Sequence, residues 1–581
     1  PLFVLVLILP GCGSDEGDSS SETTDATPQT NAAVGDVKYG GIYRFNETDG
    51  IKTLDPVQLG DAPSHHVVHQ MADLLVDFDG DLELVPELAE RWEISEDSLT
   101  YTYHLRKGVL FHDDPCFPEG KGREMTAADV KFCFDRVCDA SAKTKGVDFF
   151  REKVVGAADY FNATADGDAP AGGVSGFRVV DDYTFAIDLV NPFPPFMYYP
   201  TLGFCYVYPP EAIEKYGEDF ERHLVATGPF VFDEWEEGRE VYMKRNPNYW
   251  AKDASGNQLP YLDAIAVSFI GDQTTMLTEF RNGNLEENYR IPNDYVTSVF
   301  ESRQPGSDDP WVPTGEYRDF TVEKSIELSA QYYGMLTTSD VFDDVRVRQA
   351  FNYAIDREQI VEYVMNGVSG GVGKHGIVPP SMPGYPIDDV KGYTFDAEKA
   401  RKLMADAGFE GGEGFPELTL QYNEGGGRNT TIAEAIQQEL RKNIGVDVEL
   451  KAQQWSQHID RIDNGQADFF RFGWIADYPS PENFLNLLWS KNARQNGLNA
   501  TRYVNPRFDS LFEAALATGD KATRMKLFAA AEQVAVEDAP MLWILYDMQF
   551  RLLQPYVRNY RNNPMNRIDL REVWLDRDAD A

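Results

Sequence analysis

Few residues in this sequence have the types and spacing that do chemistry. Gly367-Val-Ser369-Gly-Gly371 fits the bare G-x-S-x-G pattern of a nucleophilic serine. That chemistry needs a strand before the serine and a helix after it. Here a helical pattern precedes Ser369 and more glycine follows, so a serine hydrolase is the remotest reading. His65, His66 and His69 form a second cluster, in which His66 and His69 share a helix face that can hold a metal. A plain solvated helix is the preferred reading. Asp477 follows an apolar run over 469–475 and Ala476. A carboxylate just past the C-terminal end of a strand sits where ligands bind in open α/β sheets. The alternative for Asp477 is the cap of a helix over 481–488. The sequence contains no Walker A loop, no run long enough to cross a membrane, and no Cys/His spacing of a zinc site.

Residues 2–9 are continuously apolar and lead into Pro10-Gly11-Cys12. A membrane span needs about 20 such residues. The run therefore reads as the core of a signal peptide, 1–11, lacking an initiating Met and a basic start. Leu9-Pro10-Gly11-Cys12 resembles a bacterial lipobox, with cleavage before Cys12 and a lipid on its thiol. An accidental Cys is the alternative. The segment 12–36 is rich in Ser, Thr, Asp, Ala and Gly and reads as a flexible tether. Four cysteines remain, Cys116, Cys133, Cys138 and Cys205. In an exported chain an even number points to disulfides. Cys133 and Cys138 lie about 140° apart around one predicted helix and cannot easily bridge each other. Cys116 to one of them is the expected pair, buried free thiols the alternative.

The elements that must position these residues fill 581 residues, more than one core of about 250–300 residues supports, so two or three lobes are expected. Acidic residues outnumber basic ones, 95 to 53, for a formal charge of −42. Such a surface repels nucleic acid and anionic lipid, which excludes both as partners. Strands are expected over 41–45 and 101–106, a helix over 67–75, and a helix opened by a capping-box-like Thr126-Ala-Ala-Asp129. Hairpins are expected over 177–189 and 230–244. After about residue 325 capped helices alternate with strands: helices over 343–354, 356–366, 396–407, 429–443 and 456–464, strands over 446–450 and 468–474. That alternation implies an α/β lobe with a mainly parallel sheet. The apolar stretch 541–553 is expected to return to the first lobe.

Several segments carry a resemblance: Leu88-Ala-Glu-Arg-Trp92, Tyr101 to Gly108, Phe111-His-Asp113, Thr126 to Val130, Thr227-Gly-Pro-Phe230 and Arg245-Asn-Pro-Asn-Tyr-Trp250. Val345 to Arg357, and Gly473-Trp-Ile-Ala-Asp-Tyr-Pro-Ser-Pro481, complete the set. Together they resemble the peptide/nickel family of bacterial solute-binding proteins, family 5, from about residue 39 to 575. The resemblance implies an α/β, two-lobed periplasmic-binding-protein-like fold of type II with an additional domain in the N-terminal half. Lobe I is expected at 37–65, 183–325 and 540–575, the extra domain at 66–182, and lobe II at 326–539. The segment 114–124, with Cys116, is longer than the family's usual turn.

The family resemblance implies a monomeric substrate-binding lipoprotein of an ABC importer. It would capture di- to oligopeptides in the periplasm or on the outer face of the cell membrane. A permease and ATPase complex would be its partner, with no cofactor and no catalysis. The alternative is the same scaffold binding an oligosaccharide or a nickel complex. Asp477 matches the Asp of a Gly-Trp-x-x-Asp motif that pairs with a ligand α-ammonium. Arg471 matches an Arg that meets the carboxylate of a short peptide, with a surface or lobe-bridging role as the alternative. Gly473 admits a ligand backbone, and Ile475 completes the strand that would take a peptide by β-augmentation. Trp474 and Trp455 match walls of side-chain pockets, with ordinary core as the alternative. The loop 46–54 is the expected opposing surface.

Overall fold

The computed structural model describes residues 35–577 apart from 49, 301–310, 424–425 and 496. The expected signal peptide, Cys12 and nearly all of the tether lie outside the described residues. The first sheet runs Ile42–Asn46, Ala264–Ser268, Glu240–Arg245, Phe230–Glu236, with only the first pair parallel. The extra domain is built on an antiparallel sheet of Ala89–Ile94, Thr100–Leu105, Thr184–Asp188 and Phe177–Asp181. The period-2 pattern turns Tyr101, Tyr103 and Leu105 into the core. Helix Ala127–Val137 covers that face, and Phe134 meets Phe177 and Phe185 at ring distances of 5.5 and 5.3 Å. Its capping box forms as expected, Thr126 N–H donating to Asp129 at 2.8 Å. The hairpin strand Thr184–Asp188 stays in this sheet, so the expected boundary at 182 splits a paired hairpin and falls too early.

The second lobe carries a six-stranded sheet in the order Gly371–Val372, Met541–Tyr546, Ser329–Met335, Phe469–Ile475, Leu418–Asn423, Val448–Gln453. Only the last two neighbour pairs are parallel, which corrects the expectation of a mainly parallel sheet. Helical crossovers make parallel pairs, and they link only the strands from 418 to 475. The remaining strands enter and leave the lobe directly. A small sheet of Glu287–Tyr289, Met548–Leu553 and Thr321–Ile326 belongs to the other side. Strand Met541–Tyr546 therefore stays in the second sheet, and the chain returns at Asp547, not at 540. Two crossings lie side by side there, and Glu327 N–H donates to the Asp547 carbonyl at 2.9 Å.

The two sides meet across the cleft. Tyr478 of the second lobe is fully buried and stacks on Tyr198 at 6.0 Å, with Tyr199 at 5.5 Å. Lys521 reaches Glu83 of the extra domain at 3.8 Å.

The expected disulfide does not form: Cys116, Cys133, Cys138 and Cys205 are all free. Cys133 is buried against the Tyr208 backbone, its thiol donating to the carbonyl at 3.2 Å. The long loop 114–124 is pinned by charge instead. Asp114 accepts from Tyr216 at 2.8 Å and meets His223 at 2.9 Å. Arg123 bridges Asp129 and Glu211, each at 2.6 Å.

Candidate functional site

Strand Phe469–Ile475 is the scaffold of the site. On one edge it pairs in full with Ser329–Met335, Gln331 opposite Gly473 and Tyr333 opposite Arg471. On the other edge only Phe469 and Phe470 have partners, in Leu418–Asn423. Backbone groups alternate between the two edges of a strand. Ala476 N–H donates inward to Leu328 O at 2.8 Å, while His458 meets Arg471 O from the outer side at 2.8 Å. Gly473 and Ile475 therefore aim their N–H and C=O groups at the open edge. His458 also faces Gln421 at 3.0 Å, and burial lowers its pKa to about 4, so it stays neutral and holds the edge without adding charge.

Asp477 lies just beyond this strand. Its side chain is reachable by solvent, yet the protein packed around it raises its pKa. Asn483 opposes that rise by donating to Asp477 Oδ2 at 2.9 Å. Asn483 Oδ1 in turn accepts the Trp474 indole N–H at 2.8 Å and the Asp477 backbone N–H at 3.2 Å. Asn483 is buried on the short helix Pro481–Leu485, whose cap is Ser480, so Asp477 does not cap that helix. Among the described residues no Lys, Arg or His pairs with Asp477.

Two apolar side chains stand open along this part of the second lobe: Ile475 is 59% exposed and Trp455 is 53% exposed. Trp455 begins helix Trp455–Asp463 and stacks on Phe472 at 6.1 Å with a 17° tilt, so it is not core. Trp474 is half-buried.

Arg471 donates to Asn423 Oδ1 at 3.0 Å and to Gln331 Oε1. Both acceptors are neutral amides, and among the described residues Arg471 forms no ion pair. Burial lowers its pKa below the ordinary arginine value. The other guanidinium groups nearby are taken. Arg428 pairs with Asp547, and Arg290 with Glu327 at 3.4 Å. Burial would raise the Asp547 carboxyl, but Arg428 and Arg290 outweigh it and hold the pKa at about 2. Gln331 donates to Asp547 at 2.6 Å, so Arg471, Gln331, Asp547 and Arg428 form one chain. Beside it an interlobe cavity of about 380 Å³ is lined by Arg290, Tyr295, Val364, Val368, Arg428 and Phe550, among others.

The other candidates of the sequence are structural. The helix expected over 67–75 spans Ala62–His69 instead, because Asp61 caps it, accepting from Ser64 N–H at 3.0 Å. His66 and His69 are buried, not solvated. His66 meets Glu47 at 2.6 Å and Asn566 O at 2.7 Å, and His69 meets Tyr206 at 2.8 Å. Burial lowers the His69 pKa to about 4. Among the described residues no group of His, Cys, Asp and Glu is arranged to hold a metal. Ser369 donates to Gly371 O at 2.8 Å and to Tyr546 O at 3.1 Å, both main-chain acceptors. In the loop 46–54, Glu47 is tied to His66 and Ser268.

Arg471, Gly473, Trp474 and Ile475 lie on one strand with Asp477 just past its end, the arrangement expected from the sequence. The sequence alone did not single out Asn483, Gln331, Arg428 or Asp547. Asn483 follows Asp477 by only six positions and could have been found as a polar residue on the predicted helix over 481–488. Gln331 and Asp547 have no local signal, since they reach the strand only through sheet pairing.

Comparison with known proteins fits this architecture. A sequence profile of the bacterial extracellular solute-binding proteins, family 5 Middle, matches residues 83–496. The dipeptide-binding protein of Escherichia coli K12 is 29% identical over 86% of this chain and 88% of its own length. Heme-binding protein A of Haemophilus influenzae is 29% identical over 97% of this chain and 96% of its own. Among solved structures, the periplasmic binding protein DppA of Helicobacter pylori in complex with the peptide STSA superposes with a TM-score of 0.74. It is 25% identical over 93% of this chain and 99% of that one. Matched across most of its length and built on the same two-lobed frame, the chain belongs to the family 5 bacterial extracellular solute-binding proteins.

Proposed function

We propose that this chain captures short peptides outside the cytoplasmic membrane and passes them to the permease and ATPase of an ABC importer. It does so as a monomer, without catalysis, tethered by a lipid on Cys12. One observation carries the peptide reading. Asp477 and Arg471 flank the same open strand edge, and neither has an ion-pair partner among the described residues. An acid for the α-ammonium, a guanidinium for the α-carboxylate and free backbone groups between them complement a peptide zwitterion. The Arg471 guanidinium reaches Gln331, the register partner of Gly473, four residues from Asp477. At about 3.3 Å per residue that is about 13 Å, the span of an extended tri- to tetrapeptide. Trp455, Trp474 and Ile475 offer walls for its side chains.

The test is a thermal-shift screen of ligand-stripped protein against peptides of two to six residues. Stabilisation should be greatest for three or four residues and should fall when the peptide carboxylate is amidated. A response to oligosaccharides, nickel complexes or heme, with none to any peptide, overturns the reading.

A further inference from the structure

Asn483 does more than fill space. Two groups that can only donate, the Trp474 indole N–H and the Asp477 backbone N–H, converge on its Oδ1 at 2.8 and 3.2 Å. They fix the orientation of the amide, since the reversed one would set N–H against N–H. The Asn483 NH₂ must then face Asp477, and it donates to Oδ2 at 2.9 Å. That oxygen is held as an acceptor, and the other is left for a ligand. The amide itself is held rigidly. Asn483 N–H donates to Ser480 O at 3.0 Å, Ser480 caps the helix, and the neighbouring Glu482 accepts from the buried Tyr478 hydroxyl. Asn483 is only 5% exposed, so no water replaces it without rearrangement.

We infer that Asn483 is the positioning residue of the amine subsite, and that its amide couples Asp477 to the Trp474 wall so that the site selects peptides with a free amino terminus. The inference rests on the proposed role of Asp477. Removing Asn483 leaves the carboxylate without its hydrogen-bond donor and frees the indole. Ammonium recognition and the adjoining wall then loosen together, while contacts along the rest of the strand edge stay.

The probes are trialanine and N-acetyl-trialanine, titrated calorimetrically into the ligand-stripped full chain. Wild type should prefer the free amine at least thirtyfold. Asn483→Ala should cut that preference about tenfold with little effect on the acetylated probe. Asn483→Asp is isosteric, retains the acceptor for both N–H groups and sets a carboxylate against Asp477. Because one acid then opposes ionisation of the other, the pH at which trialanine binding is half lost should move up by about one unit or more. Trp474→Phe, which keeps the Asn483–Asp477 bond, should leave the preference for the free amine largely intact. Equal weakening of both probes by Asn483→Ala, or an unmoved pH midpoint in Asn483→Asp, overturns the inference. Asp477→Asn is the control. If it fails to abolish the preference, the role of Asp477 falls and the inference with it, whereas if it abolishes the preference and Asn483→Ala leaves it unchanged, the inference alone falls. If neither probe binds wild type, both fall.

Discussion

Replacing Asp477 with Asn keeps its shape and removes its charge. Truncating one partner of a buried, hydrogen-bonded charge pair costs about 2–5 kcal/mol, much of it the cost of leaving the other charge unpaired. Asp477 falls toward the lower end of that range. Its side chain is reached by solvent in the free protein, and Asn483 already satisfies one oxygen. A loss of about 2–3 kcal/mol is expected, roughly 30- to 150-fold in affinity. The assay is a four-way cycle: wild type and Asp477→Asn, each with a free-amine tripeptide and its N-acetyl form. The coupling should recover most of the 2–3 kcal/mol, because only the free amine meets the charge. The pH dependence has a definite sign. The protein packed around Asp477 raises its pKa in the unliganded protein although solvent reaches the side chain, and a bound ammonium lowers it. Affinity for the free-amine peptide is therefore full above the unliganded pKa and falls as pH drops through it. The acetylated peptide and the Asn variant should show no such fall. Equal losses for both peptides, or an affinity that rises on acidification, would refute the pairing.

Two further outcomes concern stability and redox state. Glu532 is buried in the second lobe, accepts from Tyr385 and from Val378 N–H at 2.8 Å, and burial raises its pKa to about 7. A raised acid contributes stability below its ordinary pKa of 4.5, and that stability is lost as pH rises through 7. Glu532→Gln should gain on wild type by about 3 kcal/mol between pH 4 and pH 8, read as diverging unfolding midpoints, whereas parallel curves count against it. All four cysteines of the folded body are free. Denatured, unreduced protein should therefore give four titratable thiols beyond Cys12, and the native protein should react slowly, since burial and Asp114 push the half-buried Cys116 up to about 12. A count of two would restore a disulfide.

What was legible in the sequence was what periodicity and caps control. The helices after residue 325 start where Asp344, Asp356 and Asp396 place an N-cap, and the two hairpins turn where their polar tips lie. The strand over 468–474 was legible because it is an apolar run bounded by Asp468 and Asp477. The sheet that receives it was not. Whether Met541–Tyr546 pairs with the second lobe or the first is decided by a partner two hundred residues away, Ser329–Met335, and its apolar pattern suits either. The same limit divides the site. Asp477 was visible from its place at the strand end, but its lack of a cationic partner among the described residues became visible only in the fold. Arg471 shows this most clearly. From sequence only the family resemblance singled it out, with a surface or lobe-bridging role as the alternative. Among the described residues Arg428 and Arg290 have carboxylates, and Arg471 has only the amides of Asn423 and Gln331. A buried cation left with neutral partners is costly. At Arg471 an incoming carboxylate, lying along the open edge from Asp477, would relieve that cost. The charge pattern that argues for a zwitterionic ligand is thus a property of the folded strand and of the partners its neighbours have already taken.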